Sequence, residues 1–393
     1  MYAVSNTWAA AQESFLAPEG LIEISCYVPA LKNTLVYTKK DLLSFTHQQT
    51  GSLVSGELSK NHIEFSLDNS DGRWNPSNPS GLARYLSERL KVTLRYGYII
   101  NSVEHWIPGG VFYLSEWHTS LNGFEARFTA RDILEYMIDT PYTKEVSGTL
   151  YDIAQRALAE AKLPADPHAG VESLMLGTSK LGSDVLGFVL VGGVSVSEEL
   201  KNYSVGNIDY NGNETVAVIL QKCANAAGCV MYQGRDGVLV IGKLSYEDTG
   251  YIVPKELSYA YPEIDFSRPM KEVSVTYYGN GVTTYTFNAT GETQTLDNDF
   301  IKTKTQAKSI AKWVCESLRS RQHISGEFRG DPRFDLFDVV KVESKYGTIA
   351  GVVLTDIKIS FTGAFRVTYS GYVRGNDVTA TVYCGENFAG EVL

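Results

Sequence analysis

The sequence of 393 residues has few cysteines, no long apolar run and no excess of basic residues. Its cysteines are Cys26, Cys223, Cys229, Cys315 and Cys384. Because their number is odd and no CxxC spacing occurs, neither a disulfide framework nor a zinc knuckle is indicated. The longest apolar run, 185–194, is far shorter than the roughly 20 residues that span a bilayer. It predicts a buried strand pair or an inter-subunit contact, and no stable membrane insertion.

The N-terminal segment lacks the basic region and apolar core of a signal peptide, so synthesis in a cytoplasm is expected. The net charge of −10 argues against a surface that grips nucleic acid and suits one past which a polyanion slides. The 24 tyrosines, 16 phenylalanines and 35 glycines favour sheets and turns. The length predicts two or three globular domains.

Motifs that carry catalytic chemistry are missing. The sequence contains no GxSxG, no GxxxxGK[ST] and no HExxH pattern, and its histidines show no metal-ligand spacing. The carboxylate pairs Glu198/Glu199 and Asp335/Asp338 are typical of a solvated face in a chain with 45 acidic residues. We therefore expect no enzyme, no catalytic residues, no metal and no cofactor.

The segment 67–79, LDNSDGRWNPSNP, has the composition of a calcium loop but not its spacing. If Gly72 is the turn glycine of an EF-hand, the first ligand position is Leu67 and the twelfth is Asn78, so both end ligands are missing. Asn, Asp, Ser, Gly and Pro are also the residues that build turns. The segment therefore predicts a structural loop.

Hydrophobic periodicity divides the chain into three regions. Residues 1–143 and 251–393 contain period-two strands broken by turn residues, whereas 144–250 contains helices and a hairpin. The predicted fold class is mainly β with an α/β insert (α+β), in which two similar tube-type β-barrel domains flank a mixed helix–hairpin module. Helices are predicted at 149–164, 213–228 and 305–321, with a shorter helix at 80–90 capped by Ser80. A hairpin turn is predicted at 235–237.

The two β regions resemble each other. Segment 110–129 can be laid over 351–368, which matches Leu114 with Leu354, Glu116 with Asp356 and Gly123 with Gly363. A Tyr-Gly pair precedes each segment, at 96–97 and 346–347. The match predicts an internal duplication.

Several segments are similar to phage tail-tip (baseplate) hub proteins of Gram-positive hosts. In the N-terminal region they are 65–86, 92–98 and 110–136; the middle segment is 215–244, and the closing segments are 327–347 and 352–371. The resemblance covers most of the chain in the same order and departs at 172–210. It implies a homotrimer with pseudo-sixfold symmetry, whose six barrels close the hexameric tail tube.

The resemblance also implies partners and a location. The tail tube or distal tail protein lies above the hub, and a spike, fibre or tape-measure protein lies below. DNA only passes through the lumen. The protein is then a virion component of the tail tip, assembled in the host cytoplasm. A contractile tail, a long non-contractile tail and a bacteriocin particle all remain open.

Candidate inter-domain or subunit contacts are chosen by side-chain chemistry. Arginine bonds carboxylates in a bidentate manner, and tryptophan anchors interfaces. The candidates are Arg131, Asp132, Arg329, Asp331, Arg333, Trp74 and Trp117. Exposed surface charge is the alternative for the charged residues. Two other functions stay open: a carbohydrate-binding adhesin that uses Trp74, Trp106 and Trp117, and a tail-associated cell-wall hydrolase.

Overall fold

Alternating apolar and polar residues form strands through most of the chain. The computed structural model describes residues 1–14, 18–119, 123–163, 188–191, 194–208, 210, 212–278, 281–286, 288–318 and 320–374. After helix α1 (Asn6–Glu13), the N-terminal region consists of β1 Glu19–Val28, β2 Asn33–Thr38, β3 Leu42–Thr50, β4 Lys60–Asp68, β5 Lys91–Ile100, β6 Val103–Thr119 and β7 Glu125–Arg131.

The middle region contains two helices and two strand pairs. Its elements are α2 Leu150–Ala161, β8 Phe188–Val191, β9 Val194–Ser197, α3 Val216–Ala226, β10 Val230–Gln233 and β11 Leu239–Gly242. The hairpin predicted at 235–237 is confirmed, because Gly234 N–H donates to Val238 O and Gly237 has a φ of 79°. Part of the apolar run 185–194 forms the antiparallel pair β8–β9, while 185–187 and 192–193 lie outside the described residues.

The C-terminal region is again mostly strands. Its elements are β12 Asp248–Val253, β13 Glu263–Phe266, β14 Met270–Tyr277, β15 Gly281–Thr286, β16 Glu292–Asp297, α4 Lys304–Leu318, β17 Gln322–Arg329, β18 Val339–Ser344, β19 Gly347–Phe361 and β20 Phe365–Val373. The predicted mainly β, α+β fold class is confirmed.

One 13-stranded sheet passes through both β regions, in the order β13-β17-β20-β19-β3-β4-β7-β6-β5-β1-β2, with β12 and β18 attached beside β19. Two smaller sheets have the orders β10-β11-β9-β8 and β15-β14-β16. No closed barrel is found among the described strands. The division at 143/144 and 250/251 stays a prediction.

Two hydrophobic cores result. One contains side chains of both β regions, such as Phe45, Phe128 and Phe361, and the other contains the inward faces of the helices. Each of the helices α2, α3 and α4 buries one apolar face in this second core. No described helix has the length and apolar character that spanning a membrane requires.

The helix predicted at 80–90 is wrong. This stretch contains only a three-residue 3₁₀ turn, Ala83–Tyr85, and Ser80 does not cap it. Two backbone hydrogen bonds hold the start of the stretch in the preceding loop, because Gly81 N–H donates to Asn78 O and Leu82 N–H to Arg73 O. A short helix is marginal by itself, so these bonds to the preceding loop decide the conformation.

We expect the capping box of α2 to contribute measurably to stability. Thr149 Oγ1 accepts from Asp152 N at 3.2 Å, and Thr149 N donates to Asp152 Oδ2 at 2.9 Å. Thr149→Ala should lower the free energy of unfolding by about 1 kcal/mol in denaturant titrations. Thr215, the N-cap of α3, makes no side-chain cap bond, so Thr215→Ala is the matched control. Equal losses in the two variants would contradict this role.

Candidate functional site

The junction between β3 and β19 joins the two β regions. Six antiparallel pairs run from Asp356 opposite Thr50 to Phe361 opposite Phe45. On the core side, an aromatic row crosses the joined sheet from Phe361 through Phe45, Phe65 and Phe128 to Trp117. Cross-strand aromatic pairs of this kind stabilise a sheet and its register. The two regions therefore form one sheet-bonded unit.

Five strands of each β region follow the same path. In the first repeat (residues 42–131) the pairing order is β3, β4, β7, β6, β5, and in the second repeat (residues 263–373) it is β13, β17, β20, β19, β18. The second repeat carries an insertion of β14–β16 and α4 between its first two strands.

The predicted match of Leu114 with Leu354 is confirmed by backbone geometry. The β6–β7 ladder shifts register between Leu114 and Glu116, and the β19–β20 ladder shifts between Leu354 and Asp356. Each leucine carbonyl also accepts from a left-handed residue. These donors are Arg89 with a φ of 64° and Phe337 with a φ of 66°. Such non-glycine residues are uncommon, so their coincidence supports a duplication.

Two details of the predicted alignment change. The connection from Asp356 to its partner Ser370 is one residue longer than that from Glu116 to Thr129, so the second strands match one residue later. The Tyr-Gly match is wrong, because Tyr96 is fully buried within β5 whereas Tyr346 is 90% exposed in a turn. Short identical pairs carry little positional information in sheets.

Arg235 connects three parts of the chain, and sequence reasoning missed it. Its guanidinium donates to Pro108 O at 2.9 Å, Pro332 O at 2.6 Å and Phe334 O at 2.7 Å, and also bonds the Asp335 carboxylate. The side chain is only 7% exposed. The turn of the β10–β11 hairpin is thereby fixed to both β regions. The sequence showed only a hairpin turn, since a turn residue is usually solvated.

Gln233 was also missed, and it lies two residues before Arg235. Its side chain is buried, accepts from Ile133 N at 2.8 Å and donates to Val111 O at 2.8 Å. It therefore satisfies two backbone groups of the first β region from the middle region. A polar residue at a strand end is a weak signal, because most such residues face water.

The predicted pair Arg131 and Asp132 makes contacts within the first β region. Arg131 is 3.6 Å from carboxylate oxygens of both Glu116 and Glu135. Asp132 is buried and caps the 3₁₀ turn Ile133–Tyr136, since its Oδ1 accepts from Leu134 N at 3.0 Å. Burial raises the pKa of Asp132 to about 7. Both residues lie next to the backbone that Gln233 holds.

The segment 329–333 contributes one long-range contact and one local pair. Arg329 donates to Gln12 O at 2.8 Å and to Ser14 O at 2.6 Å, which attaches the end of α1 to the second repeat. Arg333 donates to Asp331 Oδ2 through Nε at 2.9 Å and through Nη2 at 2.6 Å. Asp331 is fully buried, so the sequence Arg-Gly-Asp at 329–331 is not displayed at the surface as an adhesion motif would be.

The candidate tryptophans do not form one platform. Trp74 is 2% exposed and packs on Tyr37 and Phe128 inside the first β region, so its assignment as an interface residue is wrong. Trp117 is half-buried near the end of β6, and Trp106 lies toward the other end of this 17-residue strand. Of the three, Trp117 alone ends the aromatic row at a sheet edge.

The loop 67–79 uses its oxygens within its own backbone. Asn69 Oδ1 accepts from Trp74 N at 2.8 Å, Asp71 Oδ1 from Arg73 N at 3.0 Å, and Asn78 Oδ1 from Ser80 N at 3.0 Å. These bonds support the structural interpretation. Within the part of the chain that the structure describes, no group of three or more His, Cys, Asp or Glu side chains could hold a metal ion.

Comparisons with known proteins identify the fold. The tail protein from Neisseria meningitidis MC58 superposes with a TM-score of 0.59 at 12% identity, covering 90% of this chain and 96% of that one. The 43 kDa tail protein of prophage MuSo2 from Shewanella oneidensis superposes with a TM-score of 0.58 at 13% identity, covering 90% of this chain and 98% of that one. Prophage tail protein gp18 from Listeria monocytogenes EGD-e gives 0.50 at 13% identity, covering 90% and 95%.

This chain has the fold of phage tail proteins. No family model and no curated protein sequence matches it. The similar tail proteins come from three bacterial genera, so the Gram-positive host group stays a prediction.

We expect Arg235 to be a main stabilising contact of this tail-protein fold. Arg235→Ala removes the guanidinium from a nearly dry site, so the free energy of unfolding should fall by about 3 kcal/mol. Arg235→Lys should recover only part of the lost free energy of unfolding, because an ammonium lacks the planar fork of donors of a guanidinium. Arg73→Ala is the control, since its ion pair with Asp71 is about half exposed and should change stability by less than about 0.5 kcal/mol. Similar losses in Arg235→Ala and Arg73→Ala would refute this role.

Asp132 should make stability fall as pH rises from 4 to 7. In this range the unfolded chain releases the proton, whereas the buried carboxyl of the folded chain, with a pKa of about 7, keeps it. Asp132→Asn retains the cap without titrating. The denaturant midpoints of the two proteins should agree near pH 4. By pH 8 the free energy of unfolding of the variant should exceed that of the unmodified protein by at most on the order of 4 kcal/mol. A constant difference from pH 4 to 8 would show that Asp132 titrates normally.

Proposed function

We propose that the chain is a structural hub of a phage or phage-like tail, at the tail tip or baseplate. In this proposal three chains form a ring whose six repeats present pseudo-sixfold symmetry to a hexameric tail tube. The tube or distal tail protein binds on one side, and a spike, fibre or tape-measure protein binds on the other. The fold shared with tail proteins supports a role in a tail.

The internal duplication carries the proposal. Two repeats with matching bulges, matching left-handed residues and the same strand order lie side by side in one sheet. A trimer meets a sixfold tube only if each chain offers two similar surfaces. Duplication followed by divergence meets that requirement, because the two repeats have different neighbours in a heterologous ring.

The charge of the chain suits a conduit for DNA. The net charge is −10, and acidic groups that face the lumen of the proposed ring would repel phosphates and let DNA pass without binding. Among the described residues, the geometry gives no support to the two alternative functions. Trp74 is buried in the core and cannot stack on a sugar, and the Asp335 and Asp338 carboxylates bond Arg235 and the chain's N-terminal amine.

The mass of the assembly tests the proposal. Light scattering over a concentration series, with and without the tube protein of the same particle, should reveal a species of three chain masses, or one that forms when tube is added. The control uses a tube protein from an unrelated phage, which should not induce the species. A chain that stays monomeric and ignores its own tube protein would refute the hub.

A further inference from the structure

The second repeat uses one edge of β19 for two neighbours. Strand β18 pairs along 347–353, and β3 of the first repeat pairs along 356–361. In the first repeat, the same edge of β6 is paired with β5 along 103–113. Beyond that point, 116–119 have β7 on one side and no strand on the other within the described chain. Beside β19, this position is occupied by β3. Beside β6, no described strand occupies the equivalent position.

Strand β13, at the other end of the sheet, also has one edge with no neighbouring strand among the described residues. His62 and Ile63 in β4 hold the positions that His323 and Ile324 hold in β17, because both pairs face equivalent residues of β7 and β20. Since His47 faces Ile63 and Ile264 faces Ile324, β13 is the counterpart of β3. Yet β17 is the single strand that the described residues place against β13, whereas β3 pairs on both edges.

Burial differs between β3 and β13 at equivalent positions. In β3, His47 and Gln49 point into the core and are 1% and 5% exposed. Their counterparts in β13 are Ile264 and Phe266, which are 37% and 46% exposed. An edge strand with apolar side chains on its core-facing side templates pairing with another chain. The sequence thus has apolar residues at partly exposed positions of this edge strand.

We propose that β13 of one chain pairs antiparallel with residues 116–119 of a second copy and so repeats the β3–β19 junction between chains. Transferring the register of that junction places Trp117 opposite Phe266 and Thr119 opposite Ile264 on the core side. His118 lies opposite Asp265 on the outer side. The new pairs extend the aromatic row that ends at Trp117 and cover the exposed residues of β13.

We choose a second copy of the chain as the partner of these edges, because the proposed pairing repeats the β3–β19 junction that already exists within the chain. Each copy offers one β13 edge and one β6 edge, so the contact is head-to-tail and closes into a ring or grows into a filament. Closure after three copies rests on the proposed function. In a ring of three chains, three junctions within chains alternate with three between chains, which gives six equivalent junctions. The edge pairing itself rests on the duplication.

Disulfide trapping tests the register directly. In the double variant H118C/D265C, each new thiol lies opposite one from the next chain, and directly opposed antiparallel residues have Cα atoms about 4.5–5.5 Å apart, within disulfide range. The native cysteines of the described residues are buried. Mild oxidation of the full chain should give covalent oligomers up to a closed trimer on non-reducing gels. The matched control, H118C/Y346C, places the second thiol at a turn that is also exposed and should not crosslink.

Edge disruption is the second test. Ile264→Lys directs a charge into the proposed interface and should raise the concentration needed for half-assembly by about tenfold or more, with an unchanged circular dichroism spectrum. The control is Val282→Lys, which changes an apolar residue of β15 that is 59% exposed and should assemble normally.

The outcomes separate this inference from the hub. A trimer by light scattering without H118C/D265C crosslinks would overturn the edge pairing and leave the hub intact. Crosslinked ladders beyond three chains would support the pairing and refute the ring of three. A monomer that neither crosslinks nor binds tube protein would refute both.

Discussion

The hydrogen-bonded contact between β3 and β19 determines how the rest of the chain is arranged. It joins residues 45–50 to residues 356–361, which are about as far apart in sequence as any paired strands of the molecule. A one-residue slip would turn every side chain to the opposite face, so the register must be specified. The buried Gln49 helps to specify it, because its Oε1 accepts from Leu336 N of the second repeat at 3.2 Å. His47 is held within the first repeat, where its ring nitrogens lie 2.7 Å from Tyr96 Oη and 2.8 Å from Asn61 Oδ1, and burial lowers its pKa to about 3, which keeps the imidazole neutral.

The middle region depends on this joined sheet for its position. Arg235 and Gln233, at the turn and strand end of one hairpin, bond backbone carbonyls or amides of both repeats. Each of these backbone groups would be costly to bury without a partner. The module is therefore attached by satisfied polar groups as well as by its hydrophobic core. Contacts of this kind favour one geometry, because a displaced guanidinium loses several bonds together.

Divergence of the two repeats explains their different surfaces. The second repeat contains the inserted strands β14–β16 and helix α4, while the first replaces that insertion with the short connection 51–59. The counterpart positions His47/Ile264 and Gln49/Phe266 are polar where the junction lies within the chain and apolar where we infer a junction between chains. Within one chain, a polar network adds specificity at small entropic cost. Between chains, apolar burial supplies the driving force for association.

The sequence by itself determined the hydrophobic periodicity that separates the strand regions from the helical middle region. It also determined the three long helices, the hairpin at 235–237 and the duplication around Leu114 and Leu354. These depend on local patterns, namely side-chain periodicity, caps and turn residues, which neighbouring residues decide. Tertiary structure alone decided the rest. It showed that Trp74 is a core residue and that both repeats share one sheet. It also revealed Arg235, whose partners lie about 100 residues away. Strand partners and the burial of single polar residues depend on groups distant in sequence, and no local pattern encodes them.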